Sequence, residues 1–387
     1  MAEQDDFRRE TRAWLEANCP AEMREPMHGE SDACWGGRDP VFQSEAQKSW
    51  MEAMGARGWT VPDWPAEYGG GGLSAAETKI LKQEMARIGA RHPLMSFGIS
   101  MLGPALLKYG TEAQKKRFRP EIARGAIRWC LGYSEPGAGS DLASLQTKCE
   151  DDGEHWLVNG QKVWTSYADK ADWIFCLVRT DPSAPKHKGI SFILFDMASP
   201  GVSTSPILLI SGSSPFCETF FDDVKVPKDQ IVGEVNKGWD VAKYLLGHER
   251  EMISGMGLGG DGESLGAALR ERLADDPVLR ADVARFDVDA MAFRAMSEKF
   301  IDELKAGQAH PAQPSMMKYA GTELNKARHE LVMAAGGSSA LEWESDRSKS
   351  GKAAREWLRT KANSIEGGTS EIQLGIIAKH ILRLPGA

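Results

Sequence analysis

The feature that most constrains the fold of this chain is a change of period in its middle. On either side, apolar residues recur at helical spacing, whereas across residues 129–235 they fall into short alternating or continuous runs. W-L-V-N-G-Q-K-V-W (156–164) alternates about Asn159-Gly160, a dipeptide that predicts a hairpin turn. Residues 173–178, 190–195 and 216–221 read as further strands. Before them, Phe7, Trp14 and Leu15 share one helical face, residues 42–54, 73–88 and 94–109 repeat the pattern, and Thr111 with Gln114 forms a capping-box signature. The stretch 58–72 carries too much Pro and Gly for regular structure. After residue 238 the helical period returns, with stretches at about 277–306, 315–335, 352–363 and 371–382. The expected architecture is α+β and multidomain: an N-terminal helical domain (1–127), a central β-barrel or sandwich domain (128–235) and a C-terminal helical bundle (236–387).

Within the β-region, W-C-L-G-Y-S-E-P-G-A-G-S-D (129–141) reads as a strand running into a hydroxyl, a carboxylate and a glycine-rich turn. Gly137 and Gly139 allow tight folding and exposed N–H groups, and Ser134 and Ser140 add hydroxyl donors, a concavity suited to a pyrophosphate. Trp164, Thr165 and Ser166 follow with a flat aromatic face and two hydroxyls, suited to a planar ring. A lone glycine-rich turn is ordinarily just a β-turn; the order and spacing of the two pieces distinguish this one and suggest a bound dinucleotide. The Rossmann signature is not what holds it. Gly257, Gly259 and Gly262 satisfy G-x-G-x-x-G but follow a helical pattern instead of a strand, and read as a link between helices.

Composition removes several function classes. The net charge is −8 with scattered basic residues, which is no nucleic-acid footprint. No apolar run approaches the ~20 residues of a membrane span, and the polar start M-A-E-Q-D-D-F-R-R-E has no targeting character. Six cysteines lie far apart without C-x-x-C spacing, so neither zinc nor disulfides are indicated, and a cytoplasmic location is expected.

S-E-P-G-A-G-S-D followed by N-G-Q-K-V-W-T-S resembles the acyl-CoA dehydrogenases, flavoproteins that oxidise acyl-CoA thioesters, and the order of helical, β and helical regions extends the resemblance over nearly the whole chain. The resemblance implies FAD, held by Leu131, Tyr133, Ser134, Gly139, Ser140, Trp164, Thr165, Ser166, Thr369 and Glu371. It also implies α,β-dehydrogenation of an acyl-CoA to the trans-2-enoyl-CoA, with electrons passed to an electron-transfer flavoprotein. Residues 94–104 would then line part of the acyl pocket. A flavin oxidase or monooxygenase on the same scaffold, and a non-catalytic subunit, are the rival readings.

That chemistry needs a carboxylate base for the Cα proton and donors for the thioester carbonyl. S-I-E-G-G-T-S-E-I-Q (364–373) resembles the family loop that carries the usual base, but the matching position is Gly367, whose backbone N–H would still polarise the carbonyl. Glu366 lies one place earlier, where its side chain points elsewhere. Glu249, immediately before Arg250, matches the minority of the family whose base sits on the preceding long helix. It is the expected base, Glu366 the less favoured one, and Arg250 is expected near the active centre. The chain also lacks the R-x-x-F-G motif that homotetrameric members lend to a neighbour's flavin, and Met333 stands where they carry Gln. One half of the shared site is thus eroded, which points to a homologous second subunit in an α2β2 assembly, with a homo-oligomer as the alternative. This pattern resembles the pimeloyl-CoA dehydrogenase large subunit and the heteromeric steroid side-chain branch.

Overall fold

The computed structural model describes residues 2–27, 32–254 and 264–385, with residues 2, 3, 247–254 and 305 described in their backbone only. Two compact units result, Met1–Pro206 with Phe216–Leu245, and Ile207–Pro215 with Leu246–Ala387. In the first unit the helices are α1 (Ala2–Asn18), α2 (Glu45–Ala56), α3 (Ala75–Arg87), α4 (Gly103–Tyr109) and α5 (Glu112–Ala123). The local signals set their starts. Thr111 Oγ1 accepts from Gln114 N while Gln114 Oε1 accepts from Thr111 N, so the capping box forms as the sequence predicts. The 94–109 stretch is not one regular helix: a π turn over Gly98–Leu102 precedes α4. A Cβ on Gly103 would lie 2.2 Å from Trp64, so tertiary packing decides the backbone path there.

The Pro- and Gly-rich stretch has a packing role. It carries Trp64 and Tyr68 onto the fully buried Arg119 of α5, whose guanidinium lies 4.1 Å and 4.7 Å from the two ring centroids. Burial draws the Arg119 pKa down to about 10.

The strands are β1 (Trp129–Gly132), β2 (Lys148–Asp151), β3 (His155–Ser166), β4 (Trp173–Arg179), β5 (Ile190–Asp196), β6 (Val202–Ile207) and β7 (Phe216–Pro227). They form one curled seven-stranded sheet in the order β1-β4-β2-β3-β7-β6, with β5 also on β4. One face buries Cys130, Val158, Ile174, Cys176, Val178, Ile193, Val224 and Val226. From α5, Phe118 meets Trp129 and Trp173 at 5.3 Å and 5.0 Å, each such buried aromatic contributing roughly 1.5–3 kcal/mol.

The expected hairpin at Asn159-Gly160 is a correction. β3 runs unbroken through it, paired with β7 from His155↔Pro227 to Ser166↔Phe216. The two residues serve a β-bulge instead. Asn159 accepts from Asp223 N at 2.8 Å and donates to its carboxylate at 2.9 Å, where Asp223 sits at φ 50°. Gly160 (φ 150°) has no room for a Cβ, which would come within 2.7 Å of Thr147. β2 and β6 were not anticipated, because both are largely exposed and polar and so give no apolar alternation.

The C-terminal helices are α6 (Gly238–Ser254), α7 (Leu265–Ala268), α8 (Pro277–Lys305), α9 (Gln313–Gly336), α10 (Lys352–Thr360) and α11 (Ser370–Ile376). In the second unit α7, α8 and α9 pack around Leu265, Leu269, Leu273, Val283 and Phe286. The G-x-G-x-x-G residues Gly257, Gly259 and Gly262 lie outside the described residues.

Candidate functional site

β5 fills one edge of β4 along its whole length; β1 pairs with the other edge at 173–176 and β2 rejoins that edge at Arg179. The residues between them, 133–147, are therefore a loop thrown out of a continuous sheet edge. Glu135 closes its neck. Its carboxylate, 8% exposed, accepts from Gln146 N (2.6 Å), Thr147 N (2.9 Å), Thr147 Oγ1 (2.6 Å) and Lys162 Nζ (2.7 Å). Burial alone would push the Glu135 pKa up; the charge and hydrogen bond of Lys162, with those of Thr147 and Gln146, hold it below the usual carboxylate range. The buried Arg179 guanidinium binds the carbonyls of Ala143 (2.6 Å) and Leu145 (3.2 Å) and so braces the far side of the loop. Asp141 is exposed, paired with Lys186 at 2.8 Å and with Ser144 Oγ.

The second motif piece lies against the first. Val163 N donates to Ser134 O at 2.9 Å, and Lys162 Nζ donates to Tyr133 O at 3.1 Å. Leu131 sits half-buried on β1, and the Tyr133 ring lies edge-on to Phe175 and Phe192. The structure thus brings Leu131, Tyr133 and Ser134 together with Trp164, Thr165 and Ser166, and leaves Gly139 and Ser140 on the exposed turn.

A second bulge shapes this surface. Between Lys162↔Thr219 and Thr165↔Cys217, β3 uses one residue more than β7. Up to that point the even-numbered residues Trp156, Val158 and Lys162 are buried; beyond it Thr165 is buried and Trp164 is turned outward, 54% exposed at φ 62°. A bulky residue in that conformation costs roughly 1–3 kcal/mol. Thr165 Oγ1, fully buried, has no hydrogen-bond partner among the described residues. Gly137 and Gly139 have ordinary negative φ, contrary to the expectation that a tight turn demands them, and a Cβ on either would meet nothing within 4 Å. The strained, outward Trp164 and the open space beside Gly137 and Gly139 describe a surface shaped to a group outside the chain.

Family models match nearly the whole length: the acyl-CoA dehydrogenase N-terminal domain over residues 1–126, the middle domain over 130–224 and the C-terminal domain over 236–382. The chain belongs to the acyl-CoA dehydrogenase family. Acyl-CoA dehydrogenase IpdE1 of Mycobacterium tuberculosis is 36% identical over 403 residues, covering 100% of this chain and 99% of its own. The Tcur3481–Tcur3483 steroid ACAD and the ChsE4–ChsE5 complex from Mycobacterium tuberculosis are solved structures similar to it, with TM-scores of 0.77 and 0.73. Each is 31% identical and covers 100% of this chain and 99% of its own. As an acyl-CoA dehydrogenase the chain is an oxidoreductase acting on CH–CH groups with FAD as cofactor. The cradle of the first unit fits that cofactor: an outward indole for a ring, and an exposed turn with open space beside Gly137 and Gly139 for phosphates.

In the second unit of this acyl-CoA dehydrogenase, the loop between α10 and α11 carries the remaining candidates. Gly367 and Gly368 are both left-handed, at φ 65° and 94°. The buried Gln373 donates Nε2 to both of their carbonyls, at 3.1 Å and 3.4 Å. Thr369 caps α11, its Oγ1 accepting from Ile372 N at 3.3 Å, so the helix begins at Ser370 and runs only seven residues. Glu371 is exposed in its first turn; its own backbone N–H and the Thr369 hydroxyl keep its pKa below the usual range. Glu366 is fully engaged, accepting from Arg359 at 2.8 Å and 3.2 Å and from Asn363 Nδ2 at 2.5 Å. The Arg359 guanidinium thus holds this carboxylate in a two-pronged ion pair within the loop's own structure. Lys318, fully buried on α9, donates to Asn363 O at 2.9 Å, and burial lowers its pKa. Glu249 and Arg250 lie in the later turns of α6, and their side chains lie outside the described residues. Sequence reasoning missed Glu135, Lys162, Arg179 and Gln373 as supports of the site. The signal for Lys162 was present: it falls in phase with Trp156 and Val158, and a buried lysine needs a partner.

Proposed function

We propose that the chain dehydrogenates an acyl-CoA thioester to the trans-2-enoyl-CoA and hands the electrons to an electron-transfer flavoprotein. The observation that carries this reading is the joining of the two motif pieces at Ser134–Val163, beside an outward Trp164. Leu131, Tyr133, Ser134, Gly139, Ser140, Trp164, Thr165 and Ser166 would hold FAD, joined by Thr369 and Glu371. When bound, FAD supplies the acceptor for the hydride that leaves Cβ. Glu249 takes the Cα proton as Cα=Cβ forms, and the Gly367 N–H stabilises charge on the thioester oxygen. Arg250 would lie near the active centre.

The engagement of Glu366 by Arg359 supports Glu249 over Glu366 as the base. Gly367 at the usual base position is the one observation that favours a non-catalytic subunit. Anaerobic flavin bleaching with straight, branched, dicarboxylic and steroidal CoA esters decides between them. Wild type should bleach with at least one class, and Glu249→Gln should slow bleaching roughly 10²–10⁴-fold, a general-base contribution of the usual size. Bleaching of Glu249→Gln at the wild-type rate would remove the assignment.

The missing R-x-x-F-G motif and Met333 support a homologous second subunit that completes the flavin site in an α2β2 assembly. The similar solved structures are themselves pairs of differently named chains. Purification as a single chain type with full flavin occupancy would contradict this. A cytoplasmic location belongs to the same reading, supported by six buried cysteines that are all unpaired. Among the described residues no helix is long and apolar enough to cross a membrane.

A further inference from the structure

Two ionised side chains of the paired motifs never reach the open face of the cradle. Lys162 is fully buried and Glu135 is 8% exposed, with Nζ and Oε1 2.7 Å apart. Replacing a buried ion pair by apolar residues is often neutral or stabilising, so stability alone is a weak reason for one here. Its position supplies a better reason. Lys162 is the last residue on β3 before the bulge that turns Trp164 outward, and its ammonium binds Tyr133 O as well as Glu135. Glu135 in turn binds the backbone at Gln146 and Thr147, where the loop re-enters the sheet. One ion pair therefore ties together the start of the loop, its end and the strand that carries the aromatic platform.

We infer that Glu135 and Lys162 are positioning residues for FAD: they preset the spacing between the 133–147 loop and Trp164–Ser166 before the cofactor arrives. Fixing that spacing in the free protein spares the cofactor the cost of ordering the loop on binding. The ion pair does this where an apolar pair could not, because only charged groups satisfy three backbone groups and each other at once.

The test uses the full-length apoprotein, titrated with FAD and followed by amide hydrogen exchange. Lys162→Met and Glu135→Gln should each weaken FAD binding about tenfold or more and speed exchange across 133–147, leaving β4 and β5 unchanged. The neutral double variant Glu135→Gln/Lys162→Met should regain thermal stability relative to Lys162→Met without regaining FAD affinity. A pair that merely supports the fold would recover both together, and that outcome overturns the inference. Should these variants not fold, Thr147→Val removes one bond to Glu135 and keeps the charges; FAD binding should weaken several-fold, and an unchanged Kd counts against the pair. The inference rests on FAD lying against residues 131–166, and Trp164→Asn separates the two failures. If Trp164→Asn leaves FAD binding and the flavin absorption envelope unchanged, the placement is wrong. If it alters them and the pair variants do not, the placement stands and the pair has no positioning role.

Discussion

The chain carries its candidate flavin contacts on two surfaces built in opposite ways. In the first unit, residues 131–166 hang on a sheet: ladders on β4 and β7 fix the strands, and one buried ion pair fixes the loop between them. In the second unit, residues 366–371 have no ladder. Two left-handed glycines bend the chain, and single side chains (Gln373 on two carbonyls, Arg359 and Asn363 on Glu366) hold it. The first surface spreads its support over many backbone bonds, the second concentrates it in a few residues. Apart from that ion pair, single substitutions should therefore damage the second more than the first.

Outside the Glu135–Lys162 pair, the largest effect is expected at Gly368. Its φ of 94° disfavours any side chain, and a Cβ would lie 2.3 Å from Gln373 Nε2. Gly368→Ala should cost about 2–3 kcal/mol, from left-handed strain and loss of the Gln373 bonds, read as a lowered Tm for the second unit. An unchanged Tm would mean the loop yields freely and the comparison fails.

A smaller effect should follow from acid. The folded-state pKa of Glu135 lies below its ordinary value, so the stability from its pairing is complete above about pH 4.3 and is lost as pH falls through the depressed value. Protonation then leaves Lys162 charged and buried. Unfolding of wild type should show this acid limb, and Glu135→Gln should flatten it.

The smallest effect is at Trp164. Asparagine tolerates the left-handed region better, so Trp164→Asn should leave the apoprotein as stable or up to about 1 kcal/mol more stable, while weakening FAD binding. A stability gain alongside a binding loss would mark Trp164 as a residue kept for its ligand, against the fold.

Much of this molecule was legible because it is local. The Thr111–Gln114 box, the Pro- and Gly-rich break before α3 and the serine-glycine turn are each set within a few residues. The failures are equally specific. Asn159-Gly160 reads as a turn in isolation, and only Thr147 and Asp223, brought from elsewhere in the sheet, make it a bulge. Gly137 and Gly139 read as turn glycines, yet their backbone does not need them. Glu135 carries no signal of its own in the sequence and proves to be a clamp on the loop's neck.

The sequence by itself determined where the capped helices begin and which apolar runs become strands, because those depend on neighbours along the chain. Only the tertiary structure decided which way Trp164 faces. Its direction depends on β3 taking one residue more than β7 between Lys162 and Thr165, and a register shift is a property of two strands that neither sequence contains alone.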